Sequence, residues 1–269
     1  MLPRMLSFHL IGDFPPGRVC CGFVPSTFHP GRQVQSIIDA AWSAAKSRLG
    51  DKLFDGPMCR LESYKVAGDT LHLTLSRISY KGFLGTNLAH SELAEEFGQE
   101  ALANPVGLSC ALVAADGFLM MGRRNSSVAY YPNRVHPFAG ALEPQDGCDR
   151  ERTDVFAEVR RELKEELSFE GPDIADMRCM GLVEDRSLRQ PELIFLVRST
   201  LARRQIESQL DATEHHATYV VDPTRSAAEA ALGERTLLTP VGTATLLLWG
   251  RVTWGVQWFD AAAAAFTAK

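Results

Sequence analysis

Residues 154–167 carry two patterns at once. Val155, Phe156, Val159, Leu163 and Leu167 recur at about 100° per residue and draw one apolar stripe, so the segment reads as a helix with one face in a core. Glu162 and Glu166 straddle the edge of that stripe, and Glu158 and Glu165 lie just beyond it. Several carboxylates therefore share one flank. Like charges four residues apart repel by about a few tenths of a kcal/mol on an exposed helix, and by more once desolvated, so the flank asks for nearby positive charge. Mg²⁺ meets that need, because it takes hard oxygen ligands at about 2.0–2.1 Å, keeps several waters and bridges one or two carboxylates to a substrate phosphate. The plainer reading of the same residues is a solvated acidic face neutralised by Lys164, Arg160 and Arg161. Against it stands the geometry: a purely solvated acid would sit opposite the stripe, where Lys164 is.

Around this helix the pattern alternates between strands and helices. Val34, Ile37, Ile38, Ala41, Trp42 and Ala45 recur at helical spacing and end near Gly50. Residues 61–66 and 70–76 flank Ala-Gly-Asp as a hairpin, and residues 91–102 read as a further helix. Asn104-Pro105 is a natural boundary, with a strand over 106–114 turning at Asp116-Gly117 into a second strand over 118–122. Paired strands follow over 177–184 and 192–199, then helices over 226–232 and 241–249, and Asp260 with the alanine run 261–265 suggests a last short helix. These elements lack the regular βαβ period of a doubly wound fold and predict an α/β sandwich with a mixed sheet, preceded by a small α+β unit. The expected division is 1–104 and 105–269.

Composition excludes several functions. Lys plus Arg come to 28 and Asp plus Glu to 33, a net charge of −5, so the chain has no global attraction to nucleic acid or to an anionic membrane. The cysteines at 20, 21, 59, 110, 148 and 179 form no C-x-x-C pair and no zinc framework. Residues 1–16 place His9 and Asp13 around a short apolar run without a small-residue cleavage site, and residues 236–250 are interrupted by Pro240. A cytoplasmic protein with neither a secretory leader nor a membrane span is expected. P-loop, dinucleotide-fold and serine-hydrolase motifs are absent. His136 and the pair His215-His216 show no metal-ligand spacing and read as structural or exposed.

The run Arg161-Glu162-Leu163-Lys164-Glu165-Glu166-Leu167-Ser168-Phe169 resembles the second half of the Nudix box, G-x5-E-x7-R-E-U-x-E-E-x-G-U, with U aliphatic or aromatic. Upstream, Phe138-Ala139-Gly140-Ala141-Leu142-Glu143-Pro144 is similar to the family loop F-P-G-G-x-x-E-P. Gly140 plus five residues reaches Asp146 where the family has Glu, and a seven-residue insertion then separates it from Arg161. The competing register, Gly147 to Thr153, keeps the spacing but loses the acid. Ser168 stands for the final Gly. The resemblance implies an α/β/α Nudix sandwich over 105–269 that hydrolyses a nucleoside diphosphate linked to another moiety. It maps Glu162, Glu165 and Glu166 onto the metal-ligand glutamates and Arg161 onto the arginine that orients them.

Residues 53–57, Arg60-Leu61 and the stretch Ser79-Tyr80-Lys81-Gly82-Phe83-Leu84-Gly85-Thr86-Asn87 look like the N-terminal half of the animal Nudix proteins that split UDP-glucose and UDP-galactose. The likeness continues through Arg123-Arg124, Glu143-Pro144-Gln145 and Pro240 to Ala244. It makes the first 104 residues a candidate uridine-recognition part. Tyr80 and Phe83 could stack on a pyrimidine, and Gly85, Thr86 and Asn87 could hydrogen-bond base or ribose. The alternative is a structural turn in which Gly82 and Gly85 permit tight backbone, Phe83 and Leu84 are core and Asn87 caps a helix. Arg123 and Arg124 suit diphosphate oxygens or a plain strand end, and Glu143 joins the candidate substrate-binding set. The expected activity is Mg²⁺-dependent hydrolysis of UDP-sugars to UMP and sugar 1-phosphate, with Mn²⁺ as a second metal. Glu165, or Glu192 in a later strand, would take the proton of water. The rivals are a Nudix hydrolase for ADP-ribose, a dinucleotide or coenzyme A, and a non-catalytic nucleotide-binding protein. The partner expected is a nucleotide sugar, with neither nucleic acid nor membrane.

Overall fold

The computed structural model of the chain describes residues 5–145, 153–213 and 215–268. Asp146 and residues 147–152, on which the loop half of the sequence motif falls, lie outside the described residues. Alternating apolar residues in the first hundred positions form a three-stranded sheet in the order β2 (Val19–Phe23), β4 (Thr70–Ser79), β3 (Pro57–Ala67). The helix α1 (Arg32–Leu49), the short helix α2 (Tyr80–Phe83) and α3 (Leu93–Phe97) belong to the same unit. One helix was expected over 91–102. Gly98, at φ +87°, breaks it into α3 and a single 3-10 turn, Gln99–Ala101.

The larger sheet has eight strands. Its main path runs β1 (Leu6–Phe14), β9 (Ile174–Asp185), β10 (Gln190–Ser199), β5 (Gly107–Val113), β6 (Leu119–Arg124), β11 (His215–Val221), with β7 (Val135–His136) on β6 and β8 (Phe138–Ala141) on β5. Among the described strands of this sheet β10 and β5 pair in parallel and the other pairs are antiparallel, which makes the sheet mixed, as the element pattern implied. Both faces are covered, so the central strands are largely buried and mostly apolar, with Ser109 of β5 and Glu192 of β10 as buried polar exceptions. Leu193, Phe195 and Val197 of β10 face the core that holds α4 (Val155–Leu167) and the small sheet's Leu71, Leu73 and Leu75. Ile194 and Leu196 face the opposite core, after the short α5 (Arg203–Ser208), built by α6 (Arg225–Gly233), α7 (Pro240–Trp254) and α8 (Val256–Ala268). The result is an α/β/α arrangement with the acidic helix on one side and the last three helices on the other.

Two C-terminal helices are longer than their sequence signals. Thr239 caps α7, its hydroxyl accepting from Gly242 N at 3.0 Å, with Pro240 in the first turn where a missing N–H costs nothing. After Gly255 at φ +91°, α8 starts at Val256, ahead of the Asp260 start expected. No helix among the described residues is long and apolar enough to cross a membrane.

The residues inspected for a leader form β1, which pairs antiparallel with β9, from Leu6 opposite Asp185 to Phe14 opposite Cys179. The first strand thus crosses the division expected at Asn104-Pro105 and completes the large sheet. A fragment of residues 105–269 leaves that edge of β9 unpaired and bares the core side that Leu71, Leu73 and Leu75 cover. It is expected to aggregate on refolding, read by size-exclusion chromatography, while the whole chain refolds. A soluble fragment with cooperative urea unfolding would show instead that the large sheet closes without β1.

Candidate active site

The helix α4 is positioned at both ends by its own sequence. Asp154 caps it, its carboxylate accepting from Phe156 N at 2.9 Å and Ala157 N at 3.3 Å. At the other end Ser168 takes a left-handed conformation, φ +54°, while its N–H reaches Lys164 O at 2.9 Å and Phe169 N reaches Leu163 O at 3.3 Å. This is the terminus at which glycine is favoured, which accounts for the Gly of the motif, and here Ser168 takes the same left-handed conformation. Val155, Phe156, Val159, Leu163 and Leu167 are all buried. The stripe read from the sequence is the core face.

That burial draws the carboxylates out of water. Glu158 and Glu166 are buried, the Glu162 side chain is 14% exposed and the Glu165 side chain 59% exposed. Arg161 gathers three of them. Its guanidinium donates to Glu158 Oε1 at 2.6 and 2.8 Å, to both oxygens of Glu165 at 2.8 and 2.9 Å, and to Glu162. Glu143, from the loop after β8, stands 4.0 Å from the same guanidinium. Burial pushes the Glu162 carboxyl up to about 8 against the pull of Arg161, and Glu166, Glu165 and Glu158 add to the rise. Burial likewise raises Glu143. β8 passes so close that a Cβ built on Gly140 would overlap the Glu162 carboxyl group, so this position tolerates only glycine without moving the acid.

Glu162, Glu165 and Glu166 line a cavity of about 190 Å³ together with Asp211 and Thr213. Asp211 N donates to Glu166 O at 2.8 Å, and hydrogen bonds from the Thr213 side chain and from Thr213 N, the latter at 2.6 Å, hold the Asp211 carboxylate below the usual range. His215 completes this side. It is buried, and its Nε2 lies 3.0 Å from Glu166 Oε1. Sequence reasoning set His215 aside as structural or exposed and passed over Asp211 and Thr213. The usable signal was only the run 215–221, strand-like and short, whose register on β6 sets the first histidine against the acidic helix.

Other candidates lie elsewhere. Glu192 shares a face of β10 with Ile194 and Leu196, the side of α6, α7 and α8, and is therefore across the sheet from α4. It is buried and accepts from Ser109 Oγ, and burial raises it to about 7. Arg124 is buried with its guanidinium 4.5 Å from the Tyr130 ring centroid, whereas Arg123 is exposed at the end of β6. His136 is buried, Nδ1 2.8 Å from Thr239 Oγ1 at the start of α7.

The Tyr80 to Asn87 stretch is mostly interior. Phe83 is core, and Gly85 packs against Ile38 of α1. The Thr86 hydroxyl donates to Gly82 O at 2.7 Å and accepts from Ala103 N at 3.1 Å. Asn87 Nδ2 donates to Leu188 O and Arg189 O, both at 3.0 Å, and Asn87 Oδ1 accepts from Asn104 N at 2.9 Å. The polar groups expected to meet base or ribose are thus engaged within the protein, tying the first unit to the β9–β10 turn. Tyr80 and Leu84 of this stretch line an open groove, of about 790 Å³, with Arg48, His90 and residues 126–129.

The human uridine diphosphate glucose pyrophosphatase NUDT22 is 30% identical over 223 residues, covering 72% of this chain and 73% of that protein. The bovine protein of the same name is 28% identical over 218 residues, 66% of this chain and 75% of its own length. The chain belongs to the Nudix hydrolase family. No family model matches it. Among solved structures, a Nudix hydrolase from Nitrosomonas europaea overlaps 55% of this chain and 90% of its own at 13% identity and a TM-score of 0.36. A Deinococcus radiodurans protein overlaps 53% and 80% at 18% identity and a TM-score of 0.39. In this Nudix hydrolase the arginine and glutamates of the motif helix are adjacent in space as well as in sequence, and the described part of the loop, through Glu143, meets them.

Two outcomes follow from the burial of these groups. Glu162 has a folded-state pKa above its unfolded value of about 4.3, so between the two the folded protein holds the extra proton. Its stabilising contribution is full below about 4.3 and is lost as pH rises through about 8. In protein stripped of divalent cations, the midpoint of thermal unfolding should fall between pH 5 and pH 8 measurements taken at about constant ionic strength, and Glu162→Gln should flatten that fall. Equal slopes in both proteins would place the Glu162 carboxylate in water. Asn87→Ala strands two carbonyls and one N–H and should cost about 2–3 kcal/mol in urea unfolding, with KM for nucleotide unchanged. Full stability with a raised KM would place Asn87 on the substrate.

Proposed function

We propose that this Nudix hydrolase cleaves the diphosphate of UDP-sugars, UDP-glucose or UDP-galactose, to UMP and sugar 1-phosphate. The observation that carries the reading is the buried rim of Glu162 and Glu166 opening on a cavity beside Arg161 and Asp211. The substrate class is supported by the relatives named uridine diphosphate glucose pyrophosphatases.

The donor set fits Mg²⁺, with Mn²⁺ as an alternative. It is hard oxygen throughout, and the raised Glu162 carboxyl is one that a facing cation would favour in its charged form. As the side chains stand, no three His, Cys, Asp or Glu among the described residues are gathered tightly enough to hold an ion, and Arg161 supplies the positive charge. Glu162 and Glu166 would hold the metal, with Glu165 at the rim. Bound there, the metal would neutralise the diphosphate and acidify a bound water.

Arg161 keeps Glu158, Glu162 and Glu165 from splaying apart. Glu165, exposed and lining the cavity, would take the proton of the attacking water as the bridging P–O bond breaks. Glu192 is unsuited to that step, because it is buried on the far side of the sheet, away from the cavity. The groove beside Tyr80 is of a size for a nucleoside, and its wall of residues 126–129 continues from the strand that bears Arg123 and Arg124. Free thiols at Cys20, Cys21, Cys59, Cys110 and Cys179 agree with a cytoplasmic setting.

UMP release from UDP-glucose with Mg²⁺ should fall by about 10²-fold or more in Glu166→Gln, while Tyr80→Ala should raise KM with a smaller effect on kcat. Full turnover in Glu166→Gln would defeat the mechanism. Release of AMP from ADP-ribose or a dinucleotide in preference to UMP would reassign the substrate. Nucleotide binding without any hydrolysis would make the protein a binding module.

A further inference from the structure

Arg161 accounts for Glu158, Glu162 and Glu165, but Glu166 is met from another direction. His215, the first residue of β11, pairs with Arg124 of β6 and turns its ring toward the acidic helix, Nε2 at 3.0 Å from Glu166 Oε1. Three elements build its slot. The ring of Phe138 in β8 stands edge-on to the imidazole, with centroids 5.4 Å apart and planes at 75°. Gly122 of β6 lies under the ring so closely that a Cβ there would overlap Nδ1 and Cε1. Both partners are buried, with His215 1% and Glu166 7% exposed. Glu166 also lines the cavity it shares with Glu162, Glu165 and Asp211.

A buried imidazole and carboxylate are costly to desolvate and are tolerated only because each satisfies the other. An apolar residue at 215 would fill the same slot between Phe138 and Gly122, so packing alone gives no reason for a histidine there. Orientation does. A carboxylate fixed through one oxygen presents the other in a set direction, and side chains that hold a ligand this way raise metal affinity by about 10–100-fold.

We propose that His215 is the positioning residue for Glu166, donating from Nε2 to one carboxylate oxygen and thereby aiming Glu166 at the divalent cation of the diphosphatase site. The assignment rests on the reading of that site as metal-dependent, and it adds a strand outside the motif helix to the machinery that shapes it.

The test is Mn²⁺ binding to the whole chain without nucleotide, followed by electron paramagnetic resonance, beside UDP-glucose turnover at graded Mg²⁺. His215→Phe keeps a ring in the slot without the donor and should weaken Mn²⁺ binding by about 10-fold or more. It should shift half-maximal activity to higher Mg²⁺ and leave KM for UDP-glucose at saturating metal within about twofold. His215→Gln, which places an amide N–H near the Nε2 position, should recover most of that affinity. Gly122→Ala keeps the histidine but forces its ring aside, and should weaken Mn²⁺ binding in the same direction if His215→Phe fails to fold. Wild-type affinity in folded His215→Phe or Gly122→Ala overturns the positioning role while leaving the diphosphatase reading intact. Absence of Mn²⁺ binding and of turnover in the wild-type chain overturns both.

Discussion

Four carboxylates on one flank of a thirteen-residue helix, two of them buried, form an arrangement that a chain keeps only under constraint. Two like charges at about 4 Å repel by roughly 4 kcal/mol at the effective dielectric of a protein surface, far more than the few tenths they cost in water. Each neighbouring contact offsets part of this. Arg161 donates to Glu158, Glu162 and Glu165, His215 meets Glu166, and burial moves Glu162 toward its neutral form. The apolar stripe then prevents relaxation: Leu163 and Leu167 cannot leave the core to let the helix roll its acids into solvent. Packing energy thus holds an electrostatic arrangement that is unfavourable by itself, and this is the condition under which an incoming cation gains most.

The same strand ends carry a second buried polar layer on the opposite face. Glu192 is bonded to Ser109, and Asp185 to Tyr131 Oη at 2.7 Å. Burial raises both Glu192, to about 7, and Asp185. These acids have internal donors and almost no contact with solvent, whereas the α4 acids open on a cavity. A raised pKa is therefore common to the two layers and distinguishes neither. Access does, and it separates the acids that can meet a substrate from those that complete a core.

What was legible in the sequence followed the range of the interaction that decides it. The period of α4 and the hairpin of β3 and β4 are set within a few residues, and both formed as read. The strand β1 finds its partner at β9, and no local pattern in Leu6 to Phe14 encodes a partner that distant. Thr86 and Asn87 look like ligand-binding groups because they are polar beside glycines. Only the carbonyls of Leu188 and Arg189 and the N–H groups of Ala103 and Asn104 show that the fold itself uses them. His215 differs in the other direction: the histidine pair read as structural or exposed, and the pairing with β6 sets the first of the two in the interior against the acidic helix.

These long-range ties make the N-terminal unit part of the site and not an appendage to it. β3 meets the boundary itself, with Val106 N donating to Cys59 O and Cys59 N to Leu142 O, both at 2.8 Å. Leu142 immediately precedes Glu143, the acid that the loop brings to within 4.0 Å of Arg161. The path from the small sheet to the carboxylate helix is therefore one peptide bond long beyond a fixed hydrogen bond. Asn87 holds the other side, where its amide reaches the β9–β10 turn just ahead of the strand that pairs in parallel with β5. A Nudix helix set in this frame has its loop position dictated by residues that precede residue 105. It follows that the first hundred residues set the geometry around the carboxylate helix without lying on that helix or its loop.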